Sequence, residues 1–161
     1  SPVLRLADMY LGYAEALCMC SDLDNALTYL NKIRVRAGIP EYTFTATAGK
    51  ITCPKTQTDL LNRIRRERLV ELVFEWNRYF DVRRWKVAEG QNDPEHWIYP
   101  AYHTGGEGGK VYGMNMDKDY PAFFERTSFE TRVAFTKKQY FMPIPYDDLR
   151  RIPSLVQNLG W

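Results

Sequence analysis

The feature that most constrains the fold is a predicted long helix over residues 58–86, in which arginine and glutamate are interleaved with apolar residues. Thr58 or Asp59 can cap its beginning, because a short polar side chain accepts a hydrogen bond from a free amide of the first turn. The first half has one apolar side and the second half is apolar almost all round: Leu60, Leu61 and Ile64, then Leu69, Val70, Leu72, Val73, Phe74 and Trp76. Such a helix is expected to be buried on several sides, and the sequence leaves room for a kink or break near Asn77.

Three glutamates of this helix, Glu67, Glu71 and Glu75, lie four residues apart and therefore share one stripe. Carboxylates in such a row on a partly buried helix repel one another unless something neutralises them. A metal site or an acid–base pair is one interpretation. The di-iron pattern, however, needs Glu-x-x-His motifs on facing helices, and neither His96 nor His103 belongs to one.

We favour an ion-pair network, and we expect no metal. Arginine suits such a network because its planar guanidinium binds a carboxylate through two parallel hydrogen bonds. Arginines within the helix stand three or four residues from a glutamate, and two arginines of the preceding helix can approach the same stripe. The predicted network comprises Arg34, Arg36, Glu67, Arg68, Glu71, Glu75 and Arg78. Loss of the Glu71 carboxylate is then expected to destabilise the fold as a broken buried ion pair does.

Residues 2–37 predict a helical hairpin, with helices over about 2–19 and 22–37. Asp22 can cap the second helix, and Gly38, with Pro40 behind it, ends that helix. The small side chains of Ala14 and Ala26 would let the two helices approach closely. This is the arrangement of a tetratricopeptide-type repeat. Since a single repeat cannot bury its own face, other elements must cover it.

Residues 88–135 change character, because glycine, proline, asparagine, aspartate and aromatic residues dominate without a sustained period. They predict a long irregular excursion, which in a compact domain is often functional. Its candidate ligand-binding residues are Trp97, Tyr99, Tyr102 and His103, since aromatic faces stack on the apolar faces of sugars. The alternative is that these rings fix the loop onto the helical core. Residues 136–161 predict an extended tail that packs on the fold.

Composition and motifs argue against several functions. The net charge is only +2, and interleaved glutamates cancel the field of the arginines, so no nucleic-acid partner is expected. The glycine-rich residues 105–110 do not form a phosphate-binding loop, because Val111 stands where such a loop has Ser or Thr. No cofactor is predicted.

Catalysis is not predicted either. The four serines occur outside any nucleophile elbow, although a carboxylate pair of the glycosidase type stays open, because such pairs meet only in space. No apolar run approaches the roughly 20 residues that span a bilayer. The three cysteines, Cys18, Cys20 and Cys53, are interpreted as packing thiols, since an odd number argues against a disulfide framework.

Four ordered blocks resemble the C-terminal region of SusD/RagB-like proteins. They are RLADMYLGYAEA from Arg5 with ALTYLNKIRVRAG from Ala26, IRRERLVELVFE from Ile64 with RYFDVRRW from Arg78, MPIP from Met142, and the closing QNLGW. The blocks cover nearly all the chain except about 88–135. Two closing residues depart from the family's pattern, since Leu159 stands where it usually has proline and Trp161 where it usually has tyrosine.

The resemblance implies a mainly α fold, with a tetratricopeptide-like hairpin packed on the long helix. It also implies a non-catalytic, lipid-anchored, nutrient-binding protein of the bacterial outer membrane, which delivers glycans or peptides to a TonB-dependent (SusC-like) transporter. The chain starts where the family's C-terminal region starts. It is therefore expected to be a fragment, without the N-terminal lipid anchor and without the rest of the full-length protein. The alternative is a structural or protein-interaction module that frames the fold and contacts the transporter without touching nutrient.

Overall fold

In a computed structural model of the chain, residues 4–89, 110–131 and 135–161 are described. They fall into two compact units, one ending at Phe80 and the other beginning at Asp81. About half of the described chain is helical, and its few strands are short, so the predicted mainly α class is confirmed. The tetratricopeptide-like character of the hairpin stays a prediction.

The first unit opens with a helical hairpin of α1 (Leu6–Met19) and α2 (Leu23–Arg36). A tight turn joins them, in which Ser21 has a positive φ and the Asp22 side chain accepts a hydrogen bond from the amide of Asn25. Ala14 and Ala26 are fully buried. Because neither carries more than a methyl group, the two helices can pack closely, as their small side chains predict.

A third helix, α3 (Gln57–Glu71), packs on this hairpin. Thr56 caps it, since its hydroxyl accepts a hydrogen bond from the amide of Asp59. Leu60 and Ile64 are completely buried in the same core as Leu11 and Leu30. Two short parallel strands, β1 (Tyr42–Thr43) and β2 (Ile51–Thr52), order the connection between α2 and α3.

The predicted long helix is two helices. After α3 ends at Glu71, residues 72–76 turn, and α4 (Asn77–Arg84) follows. Phe74 and Trp76 both have φ of 65°, a conformation that cannot continue a right-handed helix. The expectation of burial on several sides is wrong for this segment: Val70 and Val73 are more than half exposed, and Phe74 and Trp76 are 97% and 85% exposed.

The second unit contains an antiparallel pair of strands, β3 (Lys110–Met114) and β4 (Arg126–Thr131). A short 3-10 helix, Ala122–Phe124, lies between them. This part of residues 88–135 is therefore ordered rather than irregular. The ring of Phe129 crosses β3 so closely that a Cβ at Gly113 would lie 2.7 Å from it, and only glycine leaves room for that packing.

The tail is held by side-chain hydrogen bonds to its backbone. The tail contains a 3-10 helix, Lys137–Tyr140, and a final helix, α5 (Tyr146–Arg151). The side-chain amide of Gln157 makes two hydrogen bonds to the backbone of Ile144: it accepts from the N–H at 2.8 Å and donates to the carbonyl at 3.1 Å. The Trp161 indole donates to the carbonyls of Lys138 and Phe141. The chain end is therefore anchored although its side chains are largely exposed.

Candidate functional site

The four residues predicted to touch ligand, Trp97, Tyr99, Tyr102 and His103, lie outside the described residues. Their role stays a prediction. The residues predicted to form an ion-pair network do lie in the described part, on α2, α3 and α4 and, for Glu75, in the turn between α3 and α4.

A buried ion pair joins α2 to α3. The guanidinium of Arg34 donates to the carboxylate of Glu67 at 2.8 Å, and the two side chains are only 7% and 9% exposed. Arg34 also donates through Nε to the carbonyl of Pro40 at 2.7 Å, and its guanidinium lies 3.9 Å from the centroid of the Tyr42 ring. The buried charge of Arg34 is thus matched by a carboxylate, a carbonyl and an aromatic face, which together offset its desolvation.

A second cluster forms at the C-terminal end of α3, around Arg5. Its Nη1 donates to the Glu71 carboxylate at 3.0 Å, and Nη2 lies 2.6 Å from the Glu75 carboxylate. Nη2 also donates to the backbone carbonyl of Glu71 at 2.9 Å, and so satisfies one of the carbonyls that a helix end leaves without a partner. Arg36 of α2 binds the same Glu71 carboxylate. The hydrogen bond that Arg5 donates to the Glu75 carboxylate is the largest cause that raises the pKa of the Arg5 guanidinium.

Two further ion pairs, formed by Arg68 and by Arg63, were not predicted from the sequence. Arg68 is only 7% exposed and binds Asp8 of α1 at 3.0 Å, whereas Arg63 binds Asp59 one turn earlier. Arg78 lies half-buried near the start of α4. Sequence reasoning missed Arg5 and Asp8 as partners. Their three-residue spacing at the start of α1 puts both on one side of the chain, but nothing in the sequence says which helix that side meets.

The three cysteines are free thiols. Cys18 and Cys53 are buried, and burial is the largest cause that raises the pKa of both thiols. Cys18 donates a weak hydrogen bond to the carbonyl of Gln57 at 3.4 Å. Cys20, in contrast, is exposed at the end of α1, so the interpretation as a packing thiol is wrong for that residue.

Chemically, this arrangement holds helices together. Glu67, Glu71 and Glu75 each face at least one guanidinium, so each of these carboxylates is matched by a positive charge. Within residues 4–89, 110–131 and 135–161, no three His, Cys, Asp or Glu side chains gather as metal ligands would. Over the same residues, no helix combines the length and the apolar character needed to cross a membrane.

Several known proteins are similar to this chain in sequence and in structure. A SusD-like protein of Bacteroides ovatus is 29% identical over 95% of the chain, and SusD-like protein P2 of Formosa agariphila is 27% identical over 96%. The crystal structure of a SusD-like protein from Bacteroides fragilis superposes with a TM-score of 0.67 at 28% identity, covering 99% of this chain and 25% of the other.

The matches cover nearly all of this chain but only a small part of each relative. The chain spans only 28% and 24% of the lengths of its two curated relatives. The sequence model of the SusD family, in contrast, matches residues 1–161, the whole of this chain. On that match, and on the shared fold, the chain belongs to the SusD family.

Proposed function

We propose that this chain is the C-terminal part of a non-catalytic protein that binds a nutrient, most simply a glycan, at the bacterial outer-membrane surface. In this proposal the whole protein is held by an N-terminal lipid anchor and passes its ligand to a TonB-dependent, SusC-like transporter. The observation that carries the proposal is the match of the SusD family over the full chain. A binding role also agrees with the described carboxylates of α3, which are neutralised by arginine.

The proposed ligand contacts are Trp97, Tyr99, Tyr102 and His103. Aromatic rings bind sugars by stacking on the apolar faces of pyranose rings, and an imidazole adds a hydrogen bond that orients the sugar. Neutral glycans suit this set, since the four residues bring no carboxylate or guanidinium.

Isothermal titration of the chain with a panel of neutral polysaccharides and oligosaccharides tests the proposal. We expect measurable heat with at least one glycan and its loss in the Trp97→Ala variant. Tyr146→Ala is the matched control, because Tyr146 is an aromatic residue of α5 that is 73% exposed and is not among the proposed contacts. Loss of binding in both variants, with the fold intact, would contradict the assignment of the contact residues. Turnover of a polysaccharide by the purified protein would contradict the non-catalytic role.

A second candidate function is a structural module that frames the whole protein and contacts the transporter without touching nutrient. One observation favours it: three charged residues of α3, Glu67, Arg68 and Glu71, form internal pairs with α2, with α1 and with Arg5, which precedes α1. The same titration separates the two functions. An absence of heat with every glycan, from a folded chain, favours the structural module.

A further inference from the structure

Two arginines of the tail, Arg150 and Arg151, form the last turn of α5 and are both exposed. Several arginines of the first unit bind carboxylates, as Arg34 binds Glu67 at 2.8 Å. The side chains of Arg150 and Arg151, in contrast, form no ion pair and no hydrogen bond with any described residue. Each guanidinium carries five N–H donors, so the donors of both arginines stay available for a ligand.

The two arginines line an open cavity of about 350 Å³ together with Asp147. Asp147 precedes them by three and four residues, the spacing at which ion pairs form within a helix, yet in the described chain it pairs with neither. The guanidinium of Arg150 lies instead 5.9 Å from the centroid of the Tyr146 ring. The wall of this cavity, called the α5 cavity below, thus presents two positive charges and one negative charge that do not bind each other.

These three side chains favour a ligand that carries one negative charge and several hydroxyl groups. A guanidinium binds a carboxylate through two parallel hydrogen bonds. The carboxylate of Asp147 accepts hydrogen bonds and donates none, so it repels an anion without protons, such as sulfate, and binds hydroxyl donors. A uronic acid residue brings its carboxylate and its hydroxyls on one pyranose ring. The volume of the α5 cavity, about 350 Å³, is at the lower end for a ligand pocket and suits a single sugar residue.

We propose that the α5 cavity binds a uronic acid residue of an acidic glycan. The sugar carboxylate binds the guanidiniums of Arg150 and Arg151, and a sugar hydroxyl donates a hydrogen bond to Asp147. This inference rests on the proposed glycan-binding function and adds a chemical class to its ligand. It uses none of the four aromatic and imidazole side chains proposed above as ligand contacts, which bring no charge for an acidic sugar. The two sets of residues can therefore be tested independently.

Isothermal titration with trimers of galacturonic, mannuronic and guluronic acid tests the proposal. Each trimer is compared with its fully methyl-esterified form, which keeps the sugar rings and the ring hydroxyls but carries no charge. We expect at least one acidic trimer to bind, and its ester to bind at least about tenfold more weakly, because hydrogen bonds to charged groups contribute more than neutral ones. Added salt should weaken the binding of the acid, since the site is exposed and its charges are screened.

The double variant Arg150→Gln with Arg151→Gln should bind the acidic trimer at least about tenfold more weakly than the original chain does. Both side chains are exposed, so the fold should stay intact, which circular dichroism checks. The matched control is Lys50→Gln with Lys55→Gln, which removes the same net charge from two lysines of the first unit that form exposed ion pairs. Its affinity should stay within about twofold of the original, since distant exposed charges are screened.

The variant Asp147→Ala distinguishes a sugar site from a general anion site. It should weaken the binding of the acidic trimer, because a hydroxyl loses its acceptor, whereas sulfate should bind no more weakly, because a repelling charge is gone. If Asp147→Ala binds the trimer more tightly, as it binds sulfate, the α5 cavity recognises any anion and the proposal is overturned.

Two other results overturn the proposal: no heat with any of the acidic trimers from a folded chain, or equal affinity in the arginine double variant and the original chain. Failure of the α5 cavity and failure of the proposed aromatic contacts can be told apart. Binding of neutral glycans that Trp97→Ala abolishes, with no binding of uronic acids, overturns only the α5 cavity. Binding of a uronic acid that depends on Arg150 and Arg151, with no binding of neutral glycans, supports the α5 cavity and contradicts the aromatic contacts.

Discussion

Replacing Glu67 with methionine removes one half of the buried ion pair between α2 and α3. Breaking such a pair from one side costs about 3–5 kcal/mol, because the remaining charge stays buried without its counterion. Arg34 would keep its hydrogen bond to the Pro40 carbonyl and its contact with the Tyr42 ring. We therefore expect the lower end of that range, a loss of about 3 kcal/mol in the free energy of unfolding.

Urea unfolding followed by far-UV circular dichroism measures this loss. About 3 kcal/mol corresponds to a fall in the midpoint on the order of 1–2 M urea for a protein of this size. Asp24→Ala is the matched control, because Asp24 pairs with Lys55 at 2.8 Å while the two side chains are 71% and 51% exposed. An exposed pair of this kind contributes only about 0–1 kcal/mol.

The double variant Arg34→Met with Glu67→Met completes the experiment. Removing both charges leaves no buried ion, and apolar side chains of similar length can pack in their place, so stability should return to near that of the original protein. A loss below about 1 kcal/mol in the Glu67 variant would refute the reasoning. So would a double variant whose loss equals the sum of the two single losses, since the charges would then not act on each other.

Three further predictions concern the same unit. Thr56→Ala should lower the free energy of unfolding by about 1 kcal/mol in the same assay, because α3 loses its cap. Glu71→Ala should lower the free energy of unfolding by about 1–2 kcal/mol, which is less than the loss expected for a fully buried pair, because the side chain of its partner Arg36 is 54% exposed. A loss as large as that of Glu67→Met would contradict this. Burial raises the pKa of the Cys18 and Cys53 thiols, so the folded chain keeps protons that the unfolded chain releases above about pH 8.5. The free energy of unfolding should therefore fall as the pH rises past that value, by at most about 1.4 kcal/mol per pH unit for each thiol. In Cys53→Ala this fall should be shallower, because one of the two buried thiols is removed.

Local patterns predicted the hairpin well because their signals act over one or two turns. Ala14 and Ala26 mark the place of close approach, and Asp22 marks the start of α2, whichever elements lie around them. The partners of α3 were harder to predict. Spacing suggests pairs along one helix, whereas the structure also brings in Asp8 of α1 and Arg5, the residue that precedes α1. A linear pattern does not contain that tertiary contact.

The sequence left room for a break near Asn77, where α4 begins, but it did not predict the turn over residues 72–76. Apolar residues around Phe74 continue the helical pattern, so composition favours one long buried helix, but the backbone turns there with positive φ at Phe74 and Trp76. The β3–β4 pair was missed for another reason. It is short and flanked by glycine-rich and aspartate-rich stretches, so too few alternating positions remain to show a period of two.

The cluster around Arg5 bears on the order in which the chain assembles. Its hydrogen bonds to Glu71 and Glu75 join residues 66 and 70 positions apart, whereas α1 and α2 meet across a turn of a few residues. Closing the longer loop costs more chain entropy, so we expect the hairpin to form first and Arg5 to engage after α3 has packed. Contacts that form after the rate-limiting step slow unfolding and leave the folding rate almost unchanged. We therefore expect the Arg5 cluster to slow the unfolding of this unit by joining the first described turn of the chain to the end of α3.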